Sequence, residues 1–142
     1  MRYTFLFLLL ISFFACKQEK ANTSHTDAEA DSFEAFYNKF HSDSIYQMEH
    51  IVFPLSGLPT EVDSVTLASG NFKWQKENWR MHKDLGSNPE FQQEFTALTP
   101  DLVIERLTHK KMENVGIIRR FAKMGGEWNL IYYAGLNFFE AK

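Results

Sequence analysis

The chain has 142 residues, of which 44% are hydrophobic, and its formal net charge is −3. This length fits one domain built around one hydrophobic core. A mildly acidic chain gives no electrostatic attraction to nucleic acid or to anionic lipid headgroups, so nucleic acid is not an expected partner. Cys16 is the only cysteine, which excludes an intramolecular disulfide.

The N-terminus has the pattern of a secretory signal peptide over residues 1–15. Arg2 precedes an apolar run from Phe5 to Ala15, which is much shorter than the ~20 residues that a membrane-spanning helix needs. The ending Phe13-Phe14-Ala15-Cys16 resembles a bacterial lipobox. That resemblance implies lipidation, including palmitate, at Cys16 and a membrane-anchored protein of the cell envelope or outer membrane, on the periplasmic or the surface side. The alternative is an incidental cysteine in an ordinary signal peptide.

The stretch after the lipobox lacks large apolar side chains from Lys17 to Asp31. Such a composition predicts a flexible tether. The expected organisation is therefore a signal peptide at 1–15, a lipidated cysteine with its tether at 16–31, and a single folded domain at 32–142.

Three helices are predicted in the first two thirds of that domain. The first begins at the cap Asp31 and buries aromatic residues spaced i, i+3, i+4 and i+7, namely Phe33, Phe36, Tyr37 and Phe40. A short second helix follows the cap at Asp43. Asn88-Pro89 predicts the start of a third helix, which should end before Pro100.

The intervening segments predict short strands. Ile51–Leu55 has strand character, and Pro54 should end it because proline cannot donate to a ladder. Val62, Val65 and Leu67 predict a weak edge strand. Phe72–Leu85 is expected to be a strand or irregular structure.

The C-terminal third predicts three antiparallel strands: Leu102–His109, Val115–Lys123 and one beginning near Trp128. Gly125 and Gly126 provide the positive φ angles of a tight hairpin. In the last strand, alternation predicts that one set of residues faces the core: Trp128, Leu130, Tyr132, Ala134 and Leu136. The element order predicts an α+β domain, with two to three helices packed on the concave side of a curved antiparallel sheet.

Several of these pieces resemble an uncharacterised family of bacterial lipoproteins, a domain of unknown function. They are Phe36, Phe40, Asp43, Tyr46-Gln47, Ile51, Phe53-Pro54-Leu55 and Gly126-Glu127-Trp128-Asn129-Leu130. The resemblance implies the cone-shaped fold of ketosteroid isomerase and nuclear transport factor two, with a cavity and often a dimer. It implies no particular reaction, because this cone serves several functions.

Motifs for catalysis and metal binding are not found. His41, His50, His82 and His109 lack the spacing that places two imidazoles on one helical face, and there is no nucleophile elbow. No cofactor, metal or catalytic residue is therefore predicted. Asp43-Ser44 and Asp63-Ser64 resemble bacterial O-glycosylation sites; Ser44 is more simply explained by a helix cap, and Ser64 is expected in a loop.

The predicted ligand site is based on the types of residue expected on the concave face and not on a sequence motif. One of two adjacent arginines, Arg119 or Arg120, should face the concave side, together with Glu105 or Arg106, Tyr132 or Tyr133, and Trp74. The predicted pocket consists of Arg120, Tyr132, Glu105 and Trp74. The alternative is that the arginines pair with carboxylates in solvent. The favoured function is binding of a small molecule in the cone. The alternatives are an interaction module that dimerises or docks a partner through its sheet, and an enzyme of unknown reaction.

Overall fold

The computed structural model describes residues 24–139, with side chains described from Ser32 onward. The predicted signal peptide and Cys16 lie outside these residues, as does the first part of the tether. Within the described range, no helix is long and apolar enough to cross a membrane.

Two helices open the fold, α1 (Ser24–Ser42) and α2 (Ser44–Glu49), and a third, α3 (Ser64–Ser69), follows the first strand. The strands are β1 (Ile51–Leu58), β2 (Lys73–Trp74), β3 (Phe91–Thr99), β4 (Leu102–His109), β5 (Met112–Met124) and β6 (Glu127–Phe138). They form one curved sheet in the order β2-β1-β6-β5-β4-β3. All neighbours are antiparallel except β1 and β6, which are parallel. The predicted α+β class with a C-terminal meander is confirmed.

The aromatic stripe of α1 faces the concave side of the sheet, as its spacing predicts. Phe36, Tyr37 and Phe40 are buried, and the Phe33 ring packs edge-on against Trp128. The helix begins at Ser24, upstream of the expected cap at Asp31, so part of the expected tether is helical. The core lies between α1 and the sheet.

The prediction that Pro54 ends the first strand is wrong, because β1 continues to Leu58. Its pairing with β6 is interrupted between Ile51 and Ser56. Pro54, after a cis peptide bond, lies in this irregular stretch. Its missing N–H therefore removes no regular bond of that ladder.

The predicted edge strand at Val62–Leu67 is also wrong, since this segment contains α3. The Asp63 carboxylate accepts hydrogen bonds from Thr66 N at 2.8 Å and Thr66 Oγ1 at 2.9 Å, which caps the helix. Gly70, with φ of 62°, ends it in the left-handed conformation. Ser64 is thus the first residue of a helix instead of a loop residue, and glycosylation there stays a prediction.

The predicted third helix is wrong as well. Asn88 Oδ1 accepts from Glu90 N at 2.9 Å, which makes a turn, and β3 follows it. β3 pairs with β4 so that Phe95 lies opposite Glu105. Pairing along the whole strand outweighs the local helix signals.

An irregularity in β6 changes which of its side chains face inward. Phe121 pairs with Leu130 and Arg120 with Tyr132, so one residue of β6, Ile131, is extra. Trp128 and Leu130 are buried, but beyond the bulge Tyr133 is the buried tyrosine. The prediction that Tyr132 faces the core is therefore wrong.

Candidate functional site

A buried ion pair lies on the concave face of the sheet. Glu105 on β4 is directly opposite Arg119 on β5, and Arg119 Nη1 donates to Glu105 Oε2 at 2.9 Å. The two side chains are 0% and 2% exposed. Burial alone would lower the pKa of Arg119, but the charge and hydrogen bond of Glu105, together with smaller contributions from Tyr37 and Tyr133, raise that pKa overall. The guanidinium is therefore charged at neutral pH.

Two further side chains bind the other oxygen of Glu105. Tyr37 on α1 donates its hydroxyl to Oε1 at 2.6 Å, and Gln93 Nε2 on β3 donates to the same oxygen at 2.8 Å. Gln93 Nε2 also lies 2.8 Å from the Tyr37 hydroxyl. Burial and the charge of Glu105 raise the pKa of Tyr37 far above its usual value. The phenol is therefore a permanent donor, and it joins α1 to the sheet.

Asp84 adds a second carboxylate at the edge of this cluster. Its Oδ1 is 3.0 Å from the Tyr37 hydroxyl and accepts from Gly86 N at 2.8 Å. Because a phenol has one proton, Tyr37 serves only one of the two carboxylates at a time. Partial burial would raise the pKa of Asp84, but the hydrogen bonds from Gly86 and Tyr37 lower it overall. Asp84 is therefore ionised.

His41 is buried one turn after Tyr37 on α1, and its tautomer follows from its contacts. Nδ1 lies 3.0 Å from the Tyr37 carbonyl oxygen. A carbonyl only accepts, so Nδ1 carries the proton and Nε2 is left with a lone pair. Burial, helped by the charge of Arg119, lowers the pKa of His41 to about 4. The imidazole is therefore neutral at pH 7, and Nε2 is an acceptor.

His82 lies between two aromatic rings on the same side of the sheet. Its ring centroid is 4.2 Å from that of Trp79 and 4.3 Å from that of Tyr133. Burial lowers its pKa to about 3, with smaller contributions from Arg119 and His41. The Arg119 guanidinium is 5.9 Å from the same Tyr133 ring. Arg119 and His82 therefore share Tyr133 as a neighbour.

Three buried polar atoms of this group have no hydrogen-bond partner among the described residues: His41 Nε2, His82 Nδ1 and Arg119 Nε. A fourth such atom, Trp128 Nε1, belongs to the side chain that packs beside Phe33. We define the concave cluster as Tyr37, His41, His82, Asp84, Gln93, Glu105, Arg119 and Tyr133. It combines an ion pair, two neutral imidazoles and hydrogen-bonding atoms that are free.

Gln47 on α2 holds the covering segment, residues 75–90, against this cluster. Its Nε2 donates to Phe40 O at 2.7 Å and to His82 O at 2.8 Å. Its Oε1 accepts from His82 N at 2.8 Å and from Trp79 Nε1 at 3.2 Å. The amide thus uses both its N–H groups and both lone pairs, and it is 1% exposed. One side chain therefore fixes both Trp79 and His82.

The four predicted ligand-site residues do not lie in one group. Glu105 is in the concave cluster, and Trp74 adjoins it by donating Nε1 to Tyr133 O at 3.0 Å. Arg120 is exposed on the opposite face, with its guanidinium 4.5 Å from the Tyr132 ring. Alternation along β5 turns Arg119 inward and Arg120 outward. The bulge in β6 turns Tyr133 inward and Tyr132 outward.

Sequence reasoning missed most of the cluster. Tyr37 was predicted only as a core residue, and His41, which follows it at i+4, extends the same helical face. That polar pair within an aromatic stripe was the available signal. Asp84, Gln93 and Gln47 reach the cluster only through long-range contacts, which no local spacing indicates.

A separate open depression of about 250 Å³ lies at the outer ends of β3 and β4. It is lined by Gln92, Glu94, Thr108, His109, Lys110 and Glu113. These residues do not include any member of the concave cluster. No group of three or more histidine, cysteine or acidic side chains suited to a metal ion occurs in the part of the chain that the structure describes.

Comparison with solved structures identifies the architecture. An NTF2-like protein from Bacteroides fragilis superposes with a TM-score of 0.55 and 20% identity, covering 79% of this chain and 48% of that one. The chain has the NTF2-like fold. A protein of unknown function from Pectobacterium atrosepticum gives a TM-score of 0.44 at 14% identity, over 79% of this chain and 92% of that one. An NTF2-like protein from Cytophaga hutchinsonii gives 0.39 at 13%, over 81% and 98%.

The chain spans about half the length of the Bacteroides fragilis protein. No protein-family model and no curated protein matches the sequence. At this identity the likeness establishes the fold, and the fold does not by itself determine an activity.

Proposed function

We propose that this chain is a binding protein whose concave cluster holds a small molecule. The observation that carries the proposal is a set of buried polar atoms that have no partner within the described part of the chain, His41 Nε2, His82 Nδ1 and Arg119 Nε. Leaving one such group unpaired in a protein interior costs about 1–3 kcal/mol. Three in one neighbourhood are a large cost for a domain of this size, and a bound polar group removes it.

The surroundings support a ligand with an apolar body. The rings of Tyr37, Trp79 and Tyr133 border the unpaired atoms. Small-molecule sites combine such apolar walls with a few polar groups that fix orientation. Entry requires movement of the covering segment, because His41 and Arg119 are shielded from solvent.

Native mass spectrometry of the full chain, purified gently from cells, tests the proposal. The expected result is an added small-molecule mass that disappears on denaturation. Arg119→Met should abolish it, whereas Arg120→Met, one residue along on the opposite face, should retain it. Bare protein in every preparation of the unaltered chain would contradict binding.

We also propose that the chain is a lipid-anchored protein of the bacterial cell envelope. The apolar run at 5–15 followed by Cys16 supports this location. Metabolic labelling with an alkyne analogue of palmitate in bacteria should mark the unaltered chain and not Cys16→Ser. Equal labelling of the two would place the acyl chain elsewhere.

A second candidate function is homodimerisation, and the edge strand β3 favours it. Phe95 and Leu98 on this strand are 44% and 57% exposed. β3 contains no lysine and no proline, the residues that commonly protect an edge from pairing. Light scattering over a concentration series should detect a dimer that Leu98→Lys weakens; a monomer at all concentrations would exclude it.

A further inference from the structure

We propose that the ligand of the concave cluster is an uncharged molecule anchored by a hydroxyl group, which donates to His41 Nε2 and accepts from Arg119 Nε–H. The inference rests on the proposed binding function and specifies the chemistry of its ligand. It follows from three properties of the cluster: the tautomer of His41, the unused hydrogen of Arg119 and the charge balance around them.

His41 requires a donor from the ligand. Its Nδ1–H is committed to the Tyr37 carbonyl oxygen at 3.0 Å, so only the lone pair of Nε2 faces a partner. Nε2 is buried and has no partner in the described part of the chain. An ether, a ketone or a carboxylate offers only acceptors and leaves this atom unpaired.

Arg119 requires an acceptor. Its Nη1 binds Glu105 at 2.9 Å, while its Nε–H has no partner in residues 32–139. A guanidinium has no lone pair to offer, so this hydrogen can only be donated. A hydroxyl accepts from one neighbour while donating to another, as a water molecule also does, and the ring-bearing probes below distinguish a ligand hydroxyl from water.

The charges of the cluster disfavour an ion. Arg119 is already balanced by Glu105, and Asp84 adds a further negative charge. Both imidazoles are neutral at pH 7. An anion would therefore meet excess negative charge, and a cation would lie near Arg119 while Glu105 already accepts from Tyr37, Gln93 and Arg119. The aromatic border and the neutral anchor together indicate a small aromatic or alicyclic alcohol.

Phenol, anisole and benzoate are suitable probes because they share a ring and differ at the anchor. The full chain, labelled with ¹⁵N, would be titrated with each while the Arg119 Nε–H and His41 Nε2 resonances are followed by NMR. Phenol should shift both resonances to saturation. Anisole, which lacks the O–H, and benzoate, which is charged, should each bind about tenfold more weakly, as expected for one lost buried hydrogen bond.

His41→Phe should remove the preference for phenol over anisole, and Arg120→Met should keep it. The comparison of the three probes on the unaltered chain does not depend on whether a variant folds. Equal binding of phenol and anisole, or tighter binding of benzoate, would refute the hydroxyl anchor. The hydroxyl anchor would also be refuted if the Arg119 Nε–H hydrogen exchanges only with water and neither its resonance nor that of His41 Nε2 responds to any probe.

The mass spectrometry experiment separates this inference from the proposed function. A co-purified molecule that carries a hydroxyl and no charge supports both. A co-purified molecule without a hydroxyl, or one that is ionised, overturns the anchor and leaves the binding function standing. The absence of any bound molecule, together with the absence of probe shifts, overturns both.

Discussion

Replacing Arg119 with methionine should destabilise the protein by about 3 kcal/mol. Breaking one side of a buried ion pair costs roughly 3–5 kcal/mol, because the remaining charge is left without compensation. Here Glu105 keeps hydrogen bonds from Tyr37 and Gln93, so the lower end of that range applies. Methionine also fills much of the space of the arginine stem, which keeps the cavity contribution small.

The assay is urea unfolding followed by tryptophan fluorescence and circular dichroism, with the free energy of unfolding taken by linear extrapolation. Arg120→Met is the matched control: the same change at the next residue removes an exposed stacking contact with Tyr132, worth about 0.5–1 kcal/mol. A loss at Arg119 no larger than the loss at Arg120 would refute the burial argument.

The double replacement Glu105→Leu/Arg119→Met sharpens this test. Apolar pairs that replace buried ion pairs are often neutral or stabilising. The double variant should therefore be more stable than Arg119→Met, and measuring Glu105→Leu as well completes the double-mutant cycle that gives the coupling energy of the pair. It should nevertheless lose the bound molecule, because Arg119 Nε–H is gone. A double variant no more stable than the single one would mean that the charges are not the source of the loss.

Three other perturbations test the surroundings of the cluster. Gln47→Leu leaves hydrogen-bonding groups of Phe40, Trp79 and His82 unpaired and should lower the free energy of unfolding by about 3 kcal/mol or more. Limited proteolysis should then cut the covering segment, and an uncut segment would argue that Gln47 does not hold it. The free energy of unfolding should fall by about 2 kcal/mol for each of His41 and His82 as the pH is lowered from 7 to 5. Their pKa values of about 4 and 3 in the folded protein lie below the 6.5 of the unfolded chain, which therefore binds more protons. A free energy of unfolding that stays constant over this range would contradict their burial. Asp63→Ala should lower the unfolding midpoint by removing the cap of α3, and an unchanged midpoint would show that the cap contributes nothing.

The parts of the fold that could be predicted are those with unambiguous local signals. Gly125 and Gly126 have positive φ as the hairpin requires, and the strands around them follow. Asp43 caps α2 with hydrogen bonds to Ile45 N and Tyr46 N. In each case the residues that determine the conformation are adjacent in the chain, so no distant contact has to be known.

The errors in predicted secondary structure arise where the helical period and the strand period both fit the same residues. Phe91 and Phe95 are spaced i, i+4, which suits a helix, but together with Gln93 they also alternate with a period of two. Pairing with β4 decides for the strand, and β4 lies after β3 in the chain. Asp63 gives the same capping signal as Asp43, but the β-branched residues after it favoured a strand.

The site was harder to predict because its members depend on which face of the sheet each strand residue occupies. Whether Arg119 or Arg120 faces inward depends on the register with Glu105, and whether Tyr132 or Tyr133 does so depends on one extra residue at Ile131. A shift of one residue moves every side chain of a strand to the opposite face. The residue types were therefore predictable, whereas the members of the cluster were not.

The origin of the cluster also bears on how it can work. Tyr37 and His41 come from α1, Glu105 and Arg119 from the sheet, and His82 from the covering segment. The sheet and the helix fix each other through the Tyr37 hydroxyl at 2.6 Å from Glu105. The covering segment is joined to them by hydrogen bonds of Gln47 and Asp84 and by packing of the Trp79 and His82 rings against Tyr133, without any strand pairing to the sheet along residues 75–90. Of the three layers it is the one that can open at the smallest cost, so exchange of a ligand should follow the release of Gln47 and Asp84 while the ion pair beneath stays intact.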